Sequence, residues 1–168
     1  MKKLISISAL LLFITSANSQ FKKNDAINWL NAKMEDAKGS TPENGELIFS
    51  NPIFLGCTFE NNIDVAKIDF PEPKTLYTNT LKVELNKLSP KNIFIHSFNG
   101  KFYYDVYTTN SKKVIPVYFF AANEKPYLLE YSSKVRIGPF REGQNLEKRV
   151  KDVIIKLILS CGGKSDSF

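Results

Sequence analysis

The chain has 168 residues, with 23 Lys and Arg against 17 Asp and Glu, and is 43% hydrophobic and 12% aromatic. That balance is the one found in ordinary globular domains; it excludes a disordered tail, a collagen-like repeat and a polytopic membrane protein. Two cysteines and one histidine cannot build a three- or four-ligand Cys/His zinc site without carboxylates.

Met1-Lys2-Lys3, the apolar run Leu4 to Ile14 and the small polar stretch Thr15 to Ser19 follow the order of a secretory signal peptide. Ala17-Asn18-Ser19 places small side chains for cleavage before Gln20, with a cut after Ala17 as the second choice. A membrane anchor is the competing reading, but as a helix the apolar run rises only about 16 Å, short of the roughly 30 Å hydrocarbon core. The expected organisation is a signal over 1–19, one α+β domain over 20–163 and a short polar tail over 164–168. Losing Lys2 and Lys3 reduces an already mild positive surplus, which gives no argument for nucleic acid. The expected location is the periplasm or the exterior. There an even pair of cysteines invites a Cys57–Cys161 bridge, and two free cysteines packed as small hydrophobes are the alternative.

Asn24 is placed to cap a helix starting at Asp25, with Ala26, Ile27, Leu30, Met34 and Ala37 on one stripe and Gly39 ending it. Trp29 falls on the flank of that stripe, suited to an edge contact with the core, with an exposed ligand platform as the alternative. From Gly45 the period changes to that of strands. Glu46 to Ser50, Ile53 to Glu60 and Ile63 to Phe70 are expected strands, divided by turns at Asn51-Pro52, Asn61-Asn62 and Pro71-Glu72-Pro73. Leu81, Val83 and Leu85 alternate with polar residues, and Ser89-Pro90 breaks the chain before a strand over Asn92 to Phe98.

Asn99-Gly100 between two β-rich runs predicts a tight antiparallel hairpin with Phe102 to Tyr107 as its second strand. Val114 to Ala121, Tyr127 to Ser132 and Lys134 to Ile137 complete about eight strands with no helix between them, so the sheet is read as antiparallel. A final helix from about Gln144 to Ser160 carries Leu146, Val150, Val153, Ile154, Leu157, Ile158 and Cys161 on one face, and Gly162-Gly163 stops it. The expected fold is a single bent antiparallel sheet or partly open barrel of seven to eight strands, with the last helix capping it.

Three passages carry a resemblance: Ala26-Ile27-Asn28-Trp29-Leu30-Asn31, the stretch from Val83 to Ile93, and the terminal run from Leu146 to Lys164. Together they resemble small exported bacterial proteins of unassigned function with a pleckstrin-homology-like architecture. The resemblance implies a bent sheet of about seven strands closed by a C-terminal helix, and no reaction. The basic Lys-x-Lys/Arg cradle of its phosphoinositide-binding members is missing around Glu46 to Glu60.

Chemistry is sparse. Gly163-Lys164-Ser165 copies the end of a phosphate-binding loop, but Ile158 stands where the motif needs glycine and no helix follows. No metal-binding loop or cofactor motif is present in the sequence. His96 shares a strand face with Phe94 and Phe98. Paired with Cys57 or a serine, and oriented by Asp64, Asp69 or Asp105, it would make a small hydrolase. Without such a pairing it is a sheet-surface histidine. Carboxylate pairs such as Asp64 with Asp69, or Glu142 with Glu147, are read as solvated surface charge. Aromatics crowd residues 102–131. Phe102, Tyr104 and Val106 are expected to face the core, leaving Tyr103, Asp105 and Tyr107 either as a wet patch for a glycan or peptide or as a second buried face against the N-terminal helix. The leading expectation is a non-catalytic binding or scaffolding module for a peptide, lipid or envelope component; a purely structural envelope protein is the further alternative.

Overall fold

The structure, a computed structural model, describes residues 23–43, 46–67, 74–121 and 124–164. The expected export signal, residues 68–70, the Pro71-Glu72-Pro73 turn and 165–168 of the tail lie outside the described residues. Helix α1 covers 23–35, so Asn24 sits within its first described turn instead of capping it. Ile27, Leu30, Met34 and Ala37 are buried as the stripe predicts.

Among the described residues nine strands follow: β1 Ser40–Glu43, β2 Glu46–Leu55, β3 Thr58–Lys67, β4 Lys74–Glu84, β5 Leu88–Phe98, β6 Lys101–Thr108, β7 Ile115–Ala121, β8 Tyr127–Ser132 and β9 Lys134–Arg141. Helix α2, Leu146–Ser160, closes the order. All strand pairs are antiparallel, but they form two sheets, β1-β2-β3-β4-β7-β8 and β5-β6-β9, not one bent layer, and neither closes into a barrel. The cause lies between β4 and β5. One 3-10 turn at Leu85–Lys87, followed by a break in register between Leu88 and Ile93, carries Ser89-Pro90 and turns the chain out of the first sheet. β7 then returns to pair with β4, while β9 returns to β6.

The β2–β3 hairpin also departs from expectation. Its turn is Gly56-Cys57, with Gly56 at φ 61°, and both strands run straight through the Asn-Pro and Asn-Asn pairs. Local propensity loses here to side-chain pairing across the sheet. Thr80 Oγ1 donates to Asn62 Oδ1 at 2.8 Å, Thr78 Oγ1 to Asp64 Oδ1 at 2.6 Å and Asn51 Nδ2 to Asp64 Oδ2 at 3.4 Å. β1 pairs with β2 only as far as Phe49. Beyond it, the Asn31 amide of α1 takes the place of a neighbouring strand: its Nδ2 donates to the Phe54 carbonyl at 3.0 Å and its Oδ1 accepts the Phe54 N–H at 2.8 Å.

The core lies between the near end of the large sheet, the small sheet and both helices. It joins Leu30 and Met34 of α1, Phe54 and Phe59, Leu85 and Leu88, Phe102 and Phe140, and Val150, Ile154, Leu157 and Ile158 of α2. Tyr104 is buried among them and donates its hydroxyl to the Glu147 carbonyl at 2.6 Å. Trp29 packs at the core's edge beneath Arg149, whose guanidinium is 4.7 Å from the ring centre. α2 ends in a Schellman cap: Gly162 takes φ 87° and bonds to the Leu159 carbonyl, and Gly163 N–H donates to the Ile158 carbonyl at 2.9 Å. That ending turns Cys161 to Cys57 on the β2–β3 turn, with the sulfurs 2.08 Å apart in a disulfide. No helix among the described residues is long and apolar enough to cross a membrane.

Candidate functional site

The β5–β6 hairpin builds one wall of the site. Asn99 and Gly100 both adopt positive φ, 51° and 68°, which closes a two-residue turn and pairs Phe98 with Lys101. This register sets His96 opposite Tyr103 and Phe94 opposite Asp105. Phe102, Tyr104 and Val106 point into the core, as alternation predicts. Tyr103, Asp105 and Tyr107 take the other face, which α1 does not cover because its apolar stripe is spent on the main core. The cover comes from β9. Lys134 stands opposite Tyr107 and Arg136 opposite Asp105, and their long stems lie over the face.

Asp105 is only 1% exposed. Lys134 Nζ donates to its Oδ2 at 2.7 Å, Arg136 donates to Oδ1 and Oδ2 at 2.8 and 3.3 Å, and His96 Nε2 lies 3.2 Å from Oδ2. Burial alone pushes the carboxyl up, but the hydrogen bonds and charges of Arg136 and Lys134 outweigh it and hold Asp105 below the usual carboxylate range. Around it, Phe94 meets Tyr107 edge-on at 5.7 Å, Lys134 sits 5.8 Å above the Tyr107 ring, and Arg136 sits 5.9 Å from the Tyr103 ring. Tyr103, Asp105 and Tyr107 thus share one face, but Asp105 is neither wet nor covered by the N-terminal helix: its carboxylate is buried under the cations of β9.

Where β2 and β3 of the large sheet meet β9, a cleft of about 560 Å³ opens. His96, Ser97, Phe98, Tyr103 and Arg136 line it on one side, and Ile48, Ser50, Asn61 and Ile63 on the other. Gly138 shapes the rim. It has φ 134°, and a Cβ there would stand 3.1 Å from both the Phe102 carbonyl oxygen and the Tyr103 ring. Asn61 is 6% exposed, and its Oδ1 accepts from Ser50 Oγ at 2.9 Å. Asn61 thus brings a side-chain amide into the wall of the cleft. Reading Asn61-Asn62 as a turn hid this residue. The signal was present in Phe59, Asn61, Ile63 and Val65, which keep one alternating phase.

The other candidates are separated. Cys57 is spent in the disulfide and carries no thiol in the bridged protein. Asp64 is bound to Thr78 and Asn51, and Asp69 lies outside the described residues. No serine hydroxyl bonds to His96 among the described residues, and no group of three His, Cys, Asp or Glu there is placed to hold a metal ion. Comparison of the chain with protein-family models, with curated proteins and with solved structures gave no match.

Proposed function

We propose that the chain is an exported, non-catalytic binding module that seats its ligand in the cleft between the two sheets. The observation that carries this reading is the cleft itself, about 560 Å³ between the two sheets, into whose wall Ser50, Asn61, His96 and Arg136 bring polar groups. The cleft combines aromatic and aliphatic walls with a few polar groups, the usual make-up of a small-ligand site. Export is supported by the Cys57–Cys161 bridge, since such bonds persist in oxidising compartments. Two antiparallel sheets with a C-terminal helix on their core are compatible with the pleckstrin-homology-like reading, which we retain as part of the proposal.

The test is a thermal-shift screen of the purified protein against saccharides, fatty acids and short peptides, run beside Ser97→Trp, which fills the cleft from its exposed rim. Ligands that raise the melting temperature of the wild type and not of the variant are expected. A screen with no stabilising compound, or with stabilisation unchanged in Ser97→Trp, overturns the cleft as the site. Mass spectrometry of protein secreted by a bacterial host checks export, with Gln20 expected as the first residue.

A further inference from the structure

The cleft is apolar over much of its wall and carries charge of one sign. Ile48 and Ile63 of the large sheet stand across it from Phe98, Tyr103 and Pro139 of the small one. Among the described residues no carboxylate lines it, and its one permanently charged side chain is the half-exposed Arg136. Strand register extends that charge along the face of the small sheet to which Arg136 belongs. Phe94, Asp105 and Arg136 form one row across β5, β6 and β9; Tyr107 and Lys134 lie to one side of it, and Phe98, Lys101 and Arg141 form a row at the hairpin end. The cations Lys101, Lys134, Arg136 and Arg141 thus share this face with a single carboxylate, Asp105, which is 1% exposed and absent from the cleft wall. Lys101 reaches the rim: a Cβ on Gly39, in the cleft wall, would stand 3.6 Å from its Nζ.

Resting on the cleft reading above, we infer that the ligand is an anionic amphiphile, with an acidic head (carboxylate or phosphate) at Arg136 and the rim lysine Lys101, and an apolar chain between the two sheets. Asp105 offsets only one of the two cations bonded to it, so Lys134 and Arg136 together keep a surplus positive charge. A bound anion answers that surplus in a partly enclosed site, where charges are screened less than in open water. A neutral ligand leaves it unanswered, and a cation is repelled. The apolar walls select against a small hydrophilic anion, since each methylene withdrawn from water tightens binding by about fourfold. The volume of about 560 Å³ falls within the roughly 300–1,000 Å³ that takes a whole small molecule. A flat bilayer would touch only the rim, because the walls belong to two different sheets.

The experiment is isothermal titration of the full chain with decanoate and decyl phosphate, set against decan-1-ol, decyltrimethylammonium, acetate and inorganic phosphate, with the amphiphiles kept below micelle formation. At least one decyl anion is expected to bind about tenfold or more tighter than the alcohol, the ammonium and the short anions, and to weaken as salt is raised. Arg136→Gln should weaken it by about tenfold, Arg136→Lys by less, and Lys101→Gln by about two- to fivefold. Because Arg136 also bonds to Asp105, its variants are read beside their melting temperatures; where Arg136→Gln does not fold, Lys101→Gln and the salt series decide. Decan-1-ol or decyltrimethylammonium binding as tightly as the anions, and blocked by Ser97→Trp, overturns the anionic inference and leaves the cleft reading standing. Acetate or inorganic phosphate binding as tightly as the decyl anions overturns it too, by removing the chain. So does an unchanged affinity in Arg136→Gln, or in Lys101→Gln where that variant decides. No binding by any of these probes overturns this inference alone, since the cleft reading is judged by the wider thermal-shift screen.

Discussion

Asp105 shows how one buried residue can organise a surface. Its carboxylate survives burial because Lys134 and Arg136 bond to it, and both cations are themselves about half exposed. Asp105→Asn keeps the shape and removes the charge, leaving two cations side by side. Because those cations can turn to water, the expected loss is about 1–2 kcal/mol, below the 3–5 kcal/mol seen when fully buried pairs are broken. The pH dependence has a definite sign. A folded pKa below the unfolded one gives stability that is present at neutral pH and lost as pH falls below about 4 and through the lowered folded value. Melting curves of wild type and Asp105→Asn should therefore differ at pH 7 and converge in acid. A constant gap down to pH 2 would remove the charge from the account.

At the scale of elements, edges and ends decide what holds together. The Asn31 amide stands in for a strand on the open edge of β2, so Asn31→Ala leaves both backbone groups of Phe54 without a partner. We expect a loss of about 2–3 kcal/mol, with faster hydrogen exchange at the Phe54 amide as the specific sign. The end of α2 is as sensitive. A Cβ on Gly163 would collide with the Ile158 side chain and come within 2.9 Å of its carbonyl oxygen. Gly163→Ala should therefore undo the cap and cost at least about 1 kcal/mol by chemical denaturation, where a surface Gly→Ala change would be neutral. The alternation of β6 and the apolar stripes of both helices were legible because each is a local pattern answered by burial. The turn at Gly56-Cys57 was not, since Asn51-Pro52 and Asn61-Asn62 carry stronger turn propensity and only cross-strand partners such as Thr80 overrule it.

For the whole molecule, the Cys57–Cys161 bridge ties the β2–β3 turn to the end of α2 across a separation of 104 residues. Closing a loop of that length restricts the unfolded chain, by about 4–5 kcal/mol in the chain-entropy model. A Cys57→Ser/Cys161→Ser variant should show a large drop in urea midpoint; an unchanged midpoint would mean that the helix docks by its apolar face alone. By itself the sequence determined the two helices, the β5–β6 hairpin, the core-facing phases of β6, α1 and α2, and the shared face of Tyr103, Asp105 and Tyr107, because periodicity and Asn-Gly turn chemistry act within a few residues. Only the tertiary structure decided that the strands split into two sheets, that Asp105 lies under β9 cations and that Asn61 lines a cleft. Each of those depends on pairing between segments far apart in the chain, where the free energy of the whole arrangement outweighs local preference.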